Sequence, residues 1–125
     1  MRILIVDDEW EVACTLALAL EEGGHTASLA RSGAEALDRL PDESPDAVFL
    51  DVRMPGLSGV DTLREIRRRH PTLPVVLMTG NATRDDVEAA QELGVTDVVE
   101  KPWALKGLEG ALGHLRTSPP VTAPD

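Results

Sequence analysis

Ile3-Leu4-Ile5-Val6-Asp7-Asp8-Glu9 runs four branched apolar residues straight into three acids. An apolar run without alternation suits a strand covered on both faces, as in a parallel sheet held between helices. Ala47-Val48-Phe49-Leu50 and Val75-Val76-Leu77-Met78 repeat the pattern, and Thr26 to Ala30 and Asp97 to Val99 are weaker strand candidates. The stretches between them carry a helical period. Val12, Leu16 and Leu20 recur at i+4, and Val60, Leu63 and Ile66 at i+3. Ala34, Leu37 and Leu40 share one face of segment 33–40, as do Val87, Ala90 and Leu93 in segment 84–93. Gly23-Gly24, Pro41, His70-Pro71 and Gly94 are placed to end these helices. Strand and helix thus alternate. Because crossovers between parallel strands are right-handed and a parallel sheet needs helices on both faces, the expected architecture is a doubly wound α/β sandwich.

The chain has 125 residues, 42% of them hydrophobic, which is enough for one core and too few for a two-domain enzyme. Lys and Arg total 12 against 22 Asp and Glu, a formal charge of −10. So acidic a surface repels phosphate backbones, which argues against direct binding of nucleic acid. Cys14 is the single cysteine, so no intramolecular disulfide can form, and a reducing cytoplasmic setting is expected. The apolar run that ends at Val6 is too short for a signal peptide or a membrane span. A last helix is expected from about Trp103 to Leu115, where Gly107, Gly110 and Gly113 each cost roughly 1 kcal/mol relative to Ala, making it the least stable. Beyond it, Pro119, Pro120 and Pro124 mark a linker or tail.

In an open parallel sheet, ligands bind at the carboxyl ends of the strands. Here those ends carry Asp7-Asp8-Glu9, Asp51, Thr79-Gly80 and Glu100-Lys101-Pro102. Carboxylates gathered at one edge repel one another unless a cation sits among them. Two or three carboxylate oxygens, with other positions left to water or substrate oxygens, describe a Mg²⁺ site better than a closed zinc or calcium cage. A lysine and a hydroxyl opposite could neutralise and hydrogen-bond a phosphoryl group, which makes in-line transfer to a carboxylate chemically possible.

Val6-Asp7-Asp8-Glu9, Leu50-Asp51-Val52-Arg53-Met54-Pro55-Gly56 with Gly59, Met78-Thr79-Gly80 and Lys101-Pro102 together resemble the receiver domain of the two-component response regulators. The likeness spans about residues 2 to 116, so it implies a receiver domain over 1–116 and a tail over 117–125. It also implies a flavodoxin-like (βα)5 fold with strand order 2-1-3-4-5. Carried over by motif, Asp51 is the phosphoacceptor of a partner histidine kinase. Asp7, Asp8, Asp51 and the backbone carbonyl of Arg53 hold Mg²⁺, for which Mn²⁺ can substitute, and Thr79 and Lys101 contact the phosphoryl group. The family is regulatory: such a domain assists its own phosphorylation and dephosphorylation, then controls an output domain or partner. One expected partner is a second copy, joined through the fourth helix, fifth strand and last helix. A cytoplasmic location away from any membrane is expected.

The sequence departs from the family at Val98, where Tyr or Phe is usual, which puts the aromatic rotamer switch in doubt. With Val98 stiff at χ1, the loop 80–83 and the helix after it are expected to carry the change instead. Trp103 stands where Phe is more common and reads as an anchor of the last helix, while Trp10 reads equally as an exposed helix residue or a lid. His25, His70 and His114 read as loop or surface residues, Arg67-Arg68-Arg69 as a solvated helix end, and Cys14 as a small packed residue. Three other functions stand beside this one. A haloacid dehalogenase-like phosphohydrolase needs an acid where Arg53 stands, and a flavin phosphate would meet Asp7-Asp8-Glu9. A receiver-like module that binds partners without phosphorylation remains compatible with Val98.

Overall fold

Among the described residues, nine elements alternate: β1 (Arg2–Val6), α1 (Trp10–Glu22), β2 (Thr26–Ala30), α2 (Gly33–Glu43), β3 (Ala47–Asp51), α3 (Gly59–Arg69), β4 (Val75–Thr79), α4 (Arg84–Leu93) and β5 (Asp97–Glu100). The computed structural model describes residues 1–52, 58–80, 84–100, 112, 113 and 115. Most of the expected last helix, with Trp103, and the tail lie outside the described residues. The five strands are parallel in the order β2-β1-β3-β4-β5, as the family resemblance implies.

The unalternating runs are buried on both faces. Leu4, Val6, Val48, Leu50, Val75 and Leu77 join α2, α3 and α4 in one cluster. Ile3, Ile5, Phe49, Val76 and Met78 face the other way, against α1, with Leu112 and Leu115 packed on the same side. Each fully buried large apolar side chain contributes about 1.5–3 kcal/mol over leaving it in water, so these three central strands dominate the hydrophobic stabilisation. β2 and β5 are the sheet edges, which explains their weaker apolar pattern.

Several local expectations need correction. Pro41 does not end α2; it lies inside the helix, which runs on to Glu43 and is capped by left-handed Ser44 at φ 43°. A proline so near the end breaks little of the hydrogen-bond ladder. The last turn is also held from outside: Glu43 accepts from Ser28 of β2 at 2.8 Å, and Arg39, which pairs with Glu43 within the helix, donates to the Leu29 carbonyl of β2. Ala34 is exposed; the buried face of α2 is Gly33, Ala36, Leu37 and Leu40. Val12 is half-buried, and Ala13, Leu16 and Leu20 form the inner face of α1. Gly23, His70 and Gly94 do stand at helix ends, Gly94 in the left-handed region at φ 97°.

Two polar residues read as surface groups are interior. His25 is buried, with Nδ1 3.1 Å from the Met1 amine. Arg67 is 5% exposed, unlike Arg68 and Arg69, which point to water beside Glu65. Its guanidinium donates to the carbonyls of Gly94, His70 and Leu73 at 2.9, 3.2 and 2.7 Å. Burial lowers the Arg67 pKa from its ordinary value.

Candidate functional site

β1 lies directly beside β3, with Val6 opposite Leu50, so the residues leaving these strands, Asp7 and Asp51, stand side by side at the carboxyl edge. Asp7 is held firmly. Its N–H donates to the Ala30 carbonyl at 3.0 Å, extending the β1–β2 ladder by one residue. Its Oδ1 accepts from the Glu9 N–H at 2.9 Å, a local turn that reverses the chain into α1 at Trp10. Asp7 is wholly buried, Asp51 is 3% exposed, and Asp8 is exposed.

One carboxylate oxygen from each of Asp7, Asp8 and Asp51 lies within 4.8 Å of the other two. Two of these three acids are interior and one is open to solvent. Acids so close repel unless protons or a cation intervene. The set fits Mg²⁺: all donors are hard oxygens, and the exposed side of Asp8 leaves room for water or a ligand oxygen.

The connection after Asp51 is closed by backbone contacts. Val52 N–H donates to Met78 O at 3.1 Å, and Gly59 N–H donates to Val52 O at 2.9 Å. Ser58 caps α3 by accepting from the Asp61 N–H at 3.2 Å, and Thr62 Oγ1 donates to the Ser58 carbonyl at 2.8 Å. Glycine is required at 59, because a Cβ there would collide with the Asp51 carbonyl and lie 2.5 Å from Val52 Cα.

On the far side, β4 brings the half-buried Thr79 one residue beyond Met78, the register partner of Asp51, and pairs Thr79 with Glu100 of β5. Asp7, Asp8, Asp51 and Thr79 therefore share one edge of the sheet. Lys101, next in sequence after Glu100, lies outside the described residues, as do Arg53 and Asn81 to Thr83. Val98, in β5 opposite Leu77, is half-buried and packs against the cluster on the α4 side.

Trp10 is 40% exposed at the start of α1, and the Arg31 guanidinium lies over its ring, 4.2 Å from the centroid. Trp10 is thus an exposed helix residue with a cationic cover. Arg31 belongs to no motif in the sequence. Its signal was positional: it follows Ala30, the last residue of β2, and so emerges at the same sheet edge as Trp10.

Comparison with known proteins agrees with this geometry. The sequence model described as the response regulator receiver domain matches residues 3–112. The response regulator MprA of Mycobacterium sp. (strain KMS) is 38% identical over 121 residues, covering 95% of this chain and 53% of that protein. The DNA-binding transcriptional regulator NtrC of Escherichia coli (strain K12) is 35% identical over 116 residues, covering 90% of this chain and 25% of that protein. The crystal structure of the receiver domain of NtrX from Brucella abortus superposes with a TM-score of 0.84 at 35% identity, covering 93% of this chain and 99% of that one. The chain belongs to the response regulator receiver domain family of two-component systems. It spans about half the length of MprA and a quarter of that of NtrC.

Proposed function

We propose that this receiver domain, covering residues 1–116, is a phosphorylation-driven switch in which Asp51 accepts a phosphoryl group from a histidine kinase. The observation that carries the reading is the convergence of Asp7, Asp8 and Asp51, with carboxylate oxygens within 4.8 Å of one another, at the strand edge that also bears Thr79. A carboxylate oxygen of Asp51 forms the new P–O bond as the P–N bond of the donor phosphohistidine breaks and its electron pair leaves with the imidazole. Asp7, Asp8, Asp51 and the Arg53 carbonyl would hold Mg²⁺ or Mn²⁺, and the bound ion would neutralise charge on the phosphoryl oxygens. Thr79 can hydrogen-bond one of those oxygens, and Lys101 can supply a compact positive charge.

The acquired group adds about −1.5 to −2 charge and three strong acceptors at the edge of β3, drawing the segment after Thr79 inward. Half-buried Val98 is small and stiff, so the movement passes into residues 80–83 and α4 rather than through a side-chain swing. The face built from α4, β5 and the last helix then meets an output domain or a second copy of the chain, with residues 117–125 as the tail. The role is regulatory and cytoplasmic. Among the described residues no helix is long and apolar enough to cross a membrane.

The test is incubation with acetyl phosphate and Mg²⁺ followed by intact-mass measurement. One phosphoryl group should be gained, lost with a chelator, and absent in Asp51→Asn, which keeps the shape of the side chain but is a poor nucleophile. Gain of the group by Asp51→Asn at the native rate would overturn the reading. Sustained turnover of many phosphomonoesters would point to a hydrolase instead.

A further inference from the structure

Arg67 is the one arginine that the described residues bury, and the site at the opposite edge of the sheet does not use it. Its position on α3 faces α4. The Nε donates to the Gly94 carbonyl at 2.9 Å, while Nη1 donates to His70 and Leu73, the residues that cap α3 and lead into β4. Gly94 is the residue at which α4 ends: its N–H donates to Ala90 O and Gln91 O, both at 3.1 Å, and its φ is 97°. One buried guanidinium thus joins the C-terminal end of α4 to the turn between α3 and β4. At the other end of α4, Arg84 and Asp85 are exposed, and Arg84 pairs with Glu88 of the same helix at 3.3 Å. Of the whole helix only Ala90, one turn before Gly94, is fully buried. The C-terminal end of α4 is thus bonded into the core through Gly94.

We propose that Arg67 is a pivot residue: it fixes the C-terminal end of α4 to the core, so that α4 moves as a swing of its N-terminal end about Gly94. The anchoring itself is independent of phosphorylation; only the drive for the swing rests on the phosphoryl-acceptor reading above. The geometry gives direction to that drive. Thr79 lies at the sheet edge next to the start of α4, whereas Gly94 lies at the opposite edge, where Thr96 N–H donates to Val75 O at 2.8 Å as β5 begins. A pull near Thr79 therefore acts on the end away from Gly94 and leaves the anchored end in place, and α4 changes its tilt rather than sliding as a body.

Two NMR measurements on the native chain, Arg67→Met and Arg67→Lys test this. In amide exchange without ligand, Arg67→Met should accelerate exchange at Ala90, Gln91 and Leu93 by roughly tenfold more than at the β1 amides that report global opening. Arg67→Lys, which keeps a donor for Gly94, should fall between. Equal acceleration everywhere, read in Arg67→Lys if Arg67→Met does not fold, would make Arg67 a general core residue and overturn the pivot. In the second measurement, beryllofluoride with Mg²⁺ should shift wild-type amides most at Arg84 to Glu88 and least at Leu93 and Gly94, and the variants should extend the shifts through Gly94. Large wild-type shifts at Gly94 would also overturn the pivot. If Asp51 and Thr79 themselves do not respond, the phosphoryl-site reading fails, while the exchange measurement still decides the anchor.

Discussion

The backbone N–H of Gly59 donates to the carbonyl oxygen of Val52 at 2.9 Å, so the first residue of α3 is bonded to the residue that follows Asp51. Position of Asp51, the proposed phosphoryl acceptor, and position of the helix are thereby coupled, and the absence of a side chain at 59 is what permits the approach.

Gly59→Ala should therefore damage both stability and site. The added Cβ meets backbone atoms of Asp51 and Val52, which cannot rotate away. A loss of about 1–3 kcal/mol is expected from such overpacking. Urea denaturation would register it, together with slower phosphorylation by acetyl phosphate; a wild-type midpoint and rate would show that the loop yields freely.

Asp8→Ala separates the two roles of the acid cluster. Removing the exposed member relieves repulsion of buried Asp7 and Asp51, so the variant should be more stable than the native chain in metal-free buffer, by about 1 kcal/mol. It should also lose Mg²⁺-dependent phosphorylation. Lower stability without metal would contradict the repulsion argument.

Much of this was legible beforehand, and the exceptions share a cause. Strands β1, β3 and β4 were readable because burial on both faces leaves no alternation to misread, and the acids were readable because they end those strands. Helix faces were less so. Leu16, Leu20, Leu37 and Leu40 are buried as the apolar period predicts, but its first members, Val12 and Ala34, give way to Ala13 and Ala36 on the inner faces. Pro41 obeyed a local rule that tertiary contacts of Glu43 and Arg39 override. Burial of Arg67 was invisible because nothing in an Arg-Arg-Arg run says which member meets three carbonyls from chain segments up to 27 residues away.

The end of α2 supplies a pH dependence. The Arg39 hydrogen bond, with help from Ser28, holds the Glu43 carboxyl below its usual value, and Glu43 in turn raises the Arg39 pKa. For a depressed carboxyl, the stabilisation is fully present above the unfolded-state pKa and disappears as pH falls through the lower folded value. Both side chains are partly exposed, so the contribution is at most about 1 kcal/mol. Glu43→Gln should flatten the stability profile on the acid side of pH 4.5 and lower the plateau above it; a profile parallel to wild type would rule the pair out as a contributor.

Trp10 offers an optical report. With Trp103→Phe as background, Arg31→Ala should change the emission of Trp10, because the cation over the ring is removed. Stability should change by no more than about 1 kcal/mol at this exposed position. Beryllofluoride with Mg²⁺ should also alter Trp10 emission in the background variant, since its helix starts directly after Asp7-Asp8-Glu9. Constant emission in both experiments would place Trp10 outside the influence of the site.

The assignment of Asp51 is tested most directly by locating the acyl phosphate. The native chain is phosphorylated with acetyl phosphate and Mg²⁺, reduced with borohydride so that the modified aspartate becomes homoserine, and sequenced by fragment mass. Homoserine at position 51, and at neither 7 nor 8, is the expected result. Homoserine at Asp7 or Asp8 with Asp51 untouched would contradict the assignment.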